Sequence, residues 1–240
     1  NPQIYDLGIM GRKRLNSKLG LRTKKTILTP SDFLKITYRL LDLTNHQDVV
    51  DDIDNLGNRR IRTVGELLKI QFFQATFRLN KILEEKIKKT ESMDSIFTTR
   101  PMNSVLREFF GSCQLSQFLD QTNPLSELTH KRRISCLGPN GIQRETAGMD
   151  IRGIHSTYFG RICPIETPEG QNAGLVNSLT IFSTKNADGF LESIFYKIYK
   201  GQIQKQLEPL WLTADQEQKF RIHFGDTKLS ESSFLKNKTL

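Results

Sequence analysis

Phe110–Asn172 reads FGSCQLSQFLDQTNPLSELTHKRRISCLGPNGIQRETAGMDIRGIHSTYFGRICPIETPEGQN. It is rich in Gly and Pro, yet polar, basic and aromatic residues interleave through it with no sustained helical or strand period. Packing alone seldom demands such a composition, whereas ordered loops that carry function do. His130-Lys131-Arg132-Arg133 sets three permanent cations beside a titratable ring; guanidinium forks suit phosphate oxygens. Gly138-Pro139-Asn140-Gly141 predicts a tight turn, because Pro fixes φ and Asn-Gly tolerates positive φ. Arg144 follows just past it. In Pro164–Gly170 (PIETPEG) two prolines stiffen the backbone that carries Glu166 and Glu169. Gln114, Gln117, Asp120, Gln121 and Asn123 form a row of hydrogen-bonding side chains beside Phe118.

Upstream, Pro101 opens a helix that Gly111 ends, with Val105, Leu106, Phe109 and Phe110 expected to be buried. Before it, Thr63-Val64-Gly65-Glu66 is a capping-box pattern heading a helix over about 64–89. Leu68, Phe72, Ala75, Leu79, Ile82 and Leu83 share one face of it, and its aromatic stripe is expected in the core. Glu84 with Lys88, and Glu85 with Lys89, stand in the favourable order for helical ion pairs. Val50–Arg62 predicts a solvated turn at Gly57-Asn58, with Arg59, Arg60 and Arg62 meeting phosphate or the nearby Asp51, Asp52 and Asp54. No Glu closes an EF-hand there. Thr29-Pro30 caps and opens a further helix carrying Phe33, Ile36, Leu40, Leu41 and Leu43, broken at Asn45-His46-Gln47-Asp48.

Downstream, Asn123-Pro124 starts a short helix with Leu125 and Leu128 pointing inward and His130 at its C-terminal end. Leu175–Phe182 and Phe190–Tyr199 read as strands joined through a hairpin turn at Asp188-Gly189, and Phe220, Ile222 and Phe224 alternate like a third. No internal repeat is present. The fold class is α+β, with helical and sheet parts segregated.

The 240 residues suffice for one or two cores, and 37% hydrophobic with 25% charged residues suits much exposed surface. No apolar run approaches the roughly 20 residues that span a bilayer. The net charge of +9 suits an anionic partner, most simply nucleic acid. Cys113, Cys136 and Cys163 are odd in number, form no CxxC and lack a His at ligand spacing. Neither structural zinc nor a disulfide framework is expected, but buried or half-buried free thiols are.

QLSQFLDQ (Gln114–Gln121) preceded by Cys113 in the place of a Ser, NPLSELTHKRRIS (Asn123–Ser135), LGPNGI (Leu137–Ile142) and GRICPIETPEGQN (Gly160–Asn172) resemble the β-subunit family of bacterial-type, multisubunit DNA-dependent RNA polymerases. The match is gap-free over Gly111–Asn172 and includes the pocket where rifamycins bind in that family. VDDIDNLGNRRIR (Val50–Arg62) is similar too, and weaker likeness reaches Tyr5-Asp6-Leu7, Gly11-Arg12 and Gly189–Glu192. Departures are Cys113 and Cys136, where many members carry Ser and Ala, and Ser156, where Pro is common; both thiols are small enough to keep the pocket's shape.

The resemblance implies a piece of a large polymerase subunit, as does a first residue Asn1 and an end without a stop signal. Residues 1–50 would end the lobe, 51–112 would hold a fork strand and the long helix of a protrusion-like part, 113–180 the fork and rifamycin pocket, and 181–240 the start of a β-rich external region. Gln114, Leu115, Gln117, Phe118, Asp120, His130, Arg133, Ser135, Leu137, Pro168, Glu169 and Asn172 would line the path of the nascent RNA. Pro139, Gly141 and Arg144 of the fork loop (139–149), with Arg59 and Arg60, would face DNA. No residue here would be catalytic and no cofactor would be bound; Mg2+ would be held by the partner β′ subunit. Partners would be template DNA, RNA, ribonucleoside triphosphates, and the β′, α and sigma subunits. The Lys-, Asn-, Ile- and Phe-rich flanks point to an A+T-rich genome, and the sequence resembles plastid β subunits more than enteric bacterial ones, which implies an algal chloroplast, with bacterial cytoplasm as the alternative.

Two rival readings exist. A free-standing basic nucleic-acid-binding module accounts for the cations but not for PIETPEG or the glutamine row. A hydrolase using Glu166 and Glu169 as an acid–base pair rests on a spacing that is common by chance. Without the resemblance, His130 reads as a helix cap, and Asp120 as a partner of Arg133 or the cap of a turn.

Overall fold

The structure, a computed structural model, describes residues 5–45, 50–88, 98–223 and 225. The chain divides into two compact units, Asn1–Ile53 and Asp54–Leu240.

In the first unit, α1 (Gly8–Leu19) packs beside α2 (Pro30–Thr44). Helix α1 lies in a strongly basic stretch that carries Arg12, Lys13, Arg14 and Lys18. At the head of α2 the expected Thr29 cap is a reciprocal box with Asp32. Arg12 donates through Nη1 and Nη2 to the Asp32 carboxylate, each at 3.0 Å, and through Nη2 to the Ile27 carbonyl at 2.7 Å. Both side chains of this pair are almost wholly buried. Donation from Arg12, then from the Thr29 N–H, holds the Asp32 carboxyl far below the usual carboxylate range. A depressed folded pKa contributes stability that is complete above the unfolded value of about 4 and is lost as pH falls towards the folded one. Amide exchange at Asp32 and Phe33, whose N–H groups bond to Thr29 O, should therefore accelerate below about pH 4 in the full-length subunit. Asp32→Asn should make that exchange fast at every pH, and an unchanged profile would contradict this role.

The second unit opens with the turn Asn55–Asn58, closed by Asn58 N–H donating to Asn55 O at 2.8 Å. Residues 51–112 are expected to hold a fork strand as well as a long helix; no strand forms over residues 51–63, which precede the helix. That backbone runs irregularly, and its bond to the later sheet region is Ile61 N–H to Gly189 O at 2.7 Å. Helix α3 (Val64–Lys88) follows and packs on α4 (Arg100–Ser112), which runs one residue past Gly111. Both Glu66 oxygens, assigned by pattern to a capping box, are taken by Arg60 at 2.5 and 3.1 Å. Lys89 lies outside the described residues. Leu67 and Ala75 are the buried positions of α3, while Phe72, Phe73 and Phe77 are exposed, so the aromatic stripe is not core. Phe110, Leu125 and Leu128 are exposed as well, although Val105 is buried as expected. In each case helical spacing identified a shared face, but no element among the described residues covers it.

Helix α5 (Pro124–Lys131) leads directly into β1 (Arg133–Ser135), which pairs antiparallel with β2 (Val176–Ser178). A short helix α6 (Met149–Arg152) lies in the connection between them. Strands β3 (Thr184–Lys185), β4 (Leu191–Phe195) and β7 (Leu210–Thr213) form an antiparallel sheet, with a hairpin of β5 (Ile198–Tyr199) and β6 (Gln202–Ile203) inserted before β7. The turn at Asp188-Gly189 is as expected, but it joins β3 to β4; the strand predicted over 175–182 is the shorter β2, which pairs with β1, and the one predicted over 190–199 divides into β4 and β5. Ser183 N–H bonds to Thr180 O, and Ile181 and Phe182 turn into solvent. Arg221–His223 forms no strand, Phe224 lies outside the described residues, and β7 supplies the third strand instead.

The core gathers Leu56, Tyr158, Ile162, Leu191 and Ala214, the last heading helix α7 (Ala214–Glu217), with Ile61, Ile134 and Leu179 packed against it. Arg161 lies in this interior at 0% exposure. Its Nη1 donates to Thr157 O at 3.1 Å, its Nη2 donates to Leu212 O at 2.9 Å, and Glu217 Oε2 stands 2.5 Å away. One side chain thus ties the 3-10 turn Ser156–Tyr158, strand β7 and helix α7.

Candidate nucleic-acid interface

The alternation of β1 decides what faces outward. Side chains of a strand point to opposite sides in turn, so Ile134 meets the core while Arg133 and Ser135 stand on the exposed face. Of the four residues 130–133, two are spent internally. Lys131 pairs with Glu127 at 2.6 Å, and Arg132 Nη2 donates to Thr180 O at 2.5 Å and to Ile181 O and Ser183 O at 3.3 Å. Arg133 and His130 instead line an open cleft of about 520 Å³ with Gln117, Asp120, Asn123 and Leu125.

Helix α5 positions this cleft. Asn123 Oδ1 accepts from Ser126 N–H at 2.8 Å, and Ser126 Oγ accepts from Asn123 N–H at 3.2 Å. That closed box fixes where α5 begins, and seven residues after Asn123 the helix delivers His130 to the cleft. His130 Nδ1 accepts from the Asp120 N–H at 3.1 Å, and Nε2 lies 3.2 Å from Gln117 Oε1. Asp120 caps a turn, as one reading of the sequence had it: its Oδ1 accepts from Thr122 Oγ1 at 2.8 Å and Thr122 N–H at 3.2 Å. Those two bonds from Thr122 hold its carboxyl below the usual range. Phe118 is fully exposed between Gln117 and Asp120.

A second cleft, about 540 Å³, is lined by Cys113, Gln114, Pro139, Ile142 and Arg144. Gly141 N–H bonds to Gly138 O at 2.9 Å, and Asn140 holds φ at +58°, so the tight turn forms as the sequence predicts. A Cβ on Gly141 would stand 2.5 Å from Cys136 O, leaving no room for a side chain. Leu115 packs over Gly138, and Leu137 is buried, so it supports the surface from beneath. Ser135 Oγ accepts from Leu137 N–H at 3.1 Å. A third cavity, about 650 Å³, lies between the 144–154 segment and the 163–177 segment. Pro168, Glu169 and Asn172 line neither this cavity nor the first cleft. Glu166 and Glu169 are both exposed.

Arg59 donates to Tyr158 Oη at 3.0 Å and lies 2.9 Å from Cys136 Sγ. Arg60 pairs with Glu66. Both cations are therefore engaged within the chain. The three cysteines are free and half-buried, as expected. Among the described residues, no group of three or more His, Cys, Asp or Glu is placed to hold a metal ion. No helix among them is long and apolar enough to cross a membrane.

A family model described as RNA polymerase Rpb2, domain 3, matches residues 117–184, and one described as RNA polymerase Rpb2, domain 2, matches residues 3–62. The DNA-directed RNA polymerase subunit beta of Oltmannsiellopsis viridis is 55% identical over 240 residues, covering 98% of this chain and 17% of its own length. The chain belongs to the β-subunit (Rpb2) family of DNA-directed RNA polymerases. The corresponding subunit of Cyanidium caldarium is 46% identical, with 98% of this chain and 22% of that protein covered. The N-terminal section of the subunit from Stigeoclonium helveticum is 50% identical over 98% of the chain and 34% of its own length. The chain thus spans between a sixth and about a third of these β subunits. The relatives come from algal plastid genomes. Every expected site residue except Gln114 and Leu115 falls within the two ranges that match the family.

Sequence reasoning missed Arg132, Arg152, Arg161 and Thr167 as organising side chains. Nothing in their spacing marks them, since each bonds to backbone groups, which carry no sequence signature.

Proposed function

We propose that the chain forms one wall of the active-site cleft of a chloroplast DNA-directed RNA polymerase, along the nascent RNA and beside the downstream DNA fork. The whole enzyme would join ribonucleoside triphosphates on a DNA template, with β′, α and sigma subunits as partners. The observation that carries this reading is the shared outward face of Arg133 and Ser135 beside the His130–Gln117 pair. A guanidinium there meets a phosphate, and amide, imidazole and hydroxyl groups meet sugars and base edges. Such contacts go chiefly to the backbone, as an enzyme that accepts every sequence requires.

Phosphoryl transfer needs positioning and charge stabilisation. The family resemblance implies that Mg2+ would be held by aspartates of β′. What this chain would contribute is binding, orientation and one fixed cation at the RNA. Arg133→Ala in the assembled polymerase should raise the release of transcripts of two to six nucleotides roughly tenfold to a hundredfold, as expected for loss of a charge-assisted bond of about 1.5–3 kcal/mol. Elongation of longer RNA should change little. Gel analysis of abortive against full-length product reads this, and an unaltered ratio would contradict the placement of Arg133.

A further inference from the structure

Arg152 ends α6 between two stretches of irregular backbone. Its guanidinium donates to four carbonyls and to no carboxylate. Nη1 reaches Gln171 O at 2.7 Å and Ala173 O at 3.0 Å, Nη2 reaches Arg144 O at 3.2 Å, and Nε reaches Ala147 O at 3.4 Å. The first two carbonyls belong to the end of PIETPEGQN and the residue after it. The last two belong to the loop that leaves the Pro139 turn. A second contact brings the same segments together. Gly174 sits at φ +74°, and a Cβ there would stand 2.3 Å from Arg152 O, so the two backbones touch. Thr167 then fastens the PIETPEG loop to the strand behind it, accepting from Gly174 N–H and donating to Val176 O, both at 2.9 Å. The cavity of about 650 Å³ lies between these two segments, with Arg144, Met149 and Arg152 on one side and Thr167 and Gln171 on the other.

We propose that Arg152 is a positioning residue that fastens the 139–149 loop to the 164–173 loop, fixing the separation of the two sides of this cavity. It acts on nucleotide addition only through them, and this rests on the cleft-wall reading above. The residue type fits the task. A planar guanidinium offers five donors in a rigid fork and can bond to carbonyls on opposite sides at once, whereas the donors of a Lys all leave one nitrogen. Arg152→Lys can therefore hold one loop and releases the other. Arg152→Gln loses the fork and the charge.

The test uses polymerase assembled from full-length β carrying Arg152→Gln, Arg152→Lys or Arg133→Ala. Hydrogen exchange reads the amides of 144–148 and 170–175, and single-nucleotide addition gives kcat and KM per assembled enzyme. Arg152→Gln should speed exchange in both segments together and lower kcat roughly tenfold to a hundredfold, the scale of a displacement of about 1 Å. Arg152→Lys should assemble normally, loosen one segment, and fall between. A merely structural Arg152 would lower assembly yield and leave kcat per assembled enzyme unchanged. Exchange unaltered in both segments for both variants overturns the proposal, and so does faster exchange with unchanged kcat. The Arg133→Ala arm separates the two ideas. An abortive defect there with no Arg152 effect removes only this proposal, whereas no effect from any variant removes the cleft-wall reading as well.

Discussion

Arg161→Met should strongly loosen the second unit, Asp54–Leu240. The guanidinium is removed from the interior while Thr157 O, Leu212 O and the Glu217 carboxylate stay behind. Breaking a buried ion pair by deleting one partner costs about 3–5 kcal/mol. The Glu217 side chain keeps 20% exposure, so water can reach it and the loss should sit at the lower end of that range. Even so it is a large part of a typical stability of about 5–15 kcal/mol. Exchange at Ile194 and Thr213, on paired strands β4 and β7, should accelerate by about two orders of magnitude in the full-length subunit. Arg161→Met with Glu217→Met should recover part of the loss, because the orphaned charge goes while the orphaned carbonyls remain. An unchanged exchange rate in the single variant would show that the guanidinium does not hold these elements.

The second large effect concerns a drug rather than folding. If the family pocket is present, a rifamycin should block the assembled wild-type enzyme at initiation, and Ser135→Leu should confer marked resistance with near-normal elongation. Ser135 is exposed on the outer face of β1, beside Arg133, with Gln117 and Phe118 on the preceding loop. Its oxygen accepts from Leu137 N–H, which leaves its own hydrogen free to donate outward. Leucine removes that donor and adds bulk where the drug would lie. A lost hydrogen bond costs on the order of 1 kcal/mol, and a buried partner left unpaired costs about 1–3 kcal/mol. Those losses combine with steric exclusion, so resistance should exceed tenfold, since about 1.4 kcal/mol is a factor of ten. Leu137 is buried and cannot itself offer packing area, so Leu115 and Phe118 must supply it. Abortive synthesis with and without drug reads the result. Insensitive wild-type enzyme would point first to Cys113 and Cys136, and loss of elongation in Ser135→Leu would place the hydroxyl in the chemistry instead.

The local signals in the sequence were those written in consecutive residues. Thr29-Pro30, Asn123-Pro124 and Gly138–Gly141 each formed the cap or turn that their residues dictate, because every atom involved lies within a few positions. Partnership across the chain was less legible. Periodicity grouped Phe72 with Ala75, but it cannot say which face of α3 has a neighbour, and of the whole helix Leu67 and Ala75 alone are buried. Residues 130–133 read as a single cationic cluster, yet the step from α5 into β1 turns Arg132 inward to three carbonyls and Arg133 outward. The Phe220–Phe224 alternation suggested a strand, but a strand needs a ladder partner, and β4 pairs with Leu210–Thr213. Arg152 and Arg161 were invisible for the same reason: carbonyls carry no sequence signature. The site residues brought to one cleft are Gln117, Asp120, His130 and Arg133, while Gln114, Pro139 and Arg144 share the next.

The most direct test of the cleft-wall reading is photocrosslinking from nascent RNA. A halted complex of the assembled polymerase would carry a photoreactive nucleotide two to five positions upstream of the growing end. Crosslinks in β should map by peptide mass within Gln114–Ser135, and Arg133→Ala should weaken them. Efficient crosslinking that maps wholly outside this range would contradict the account.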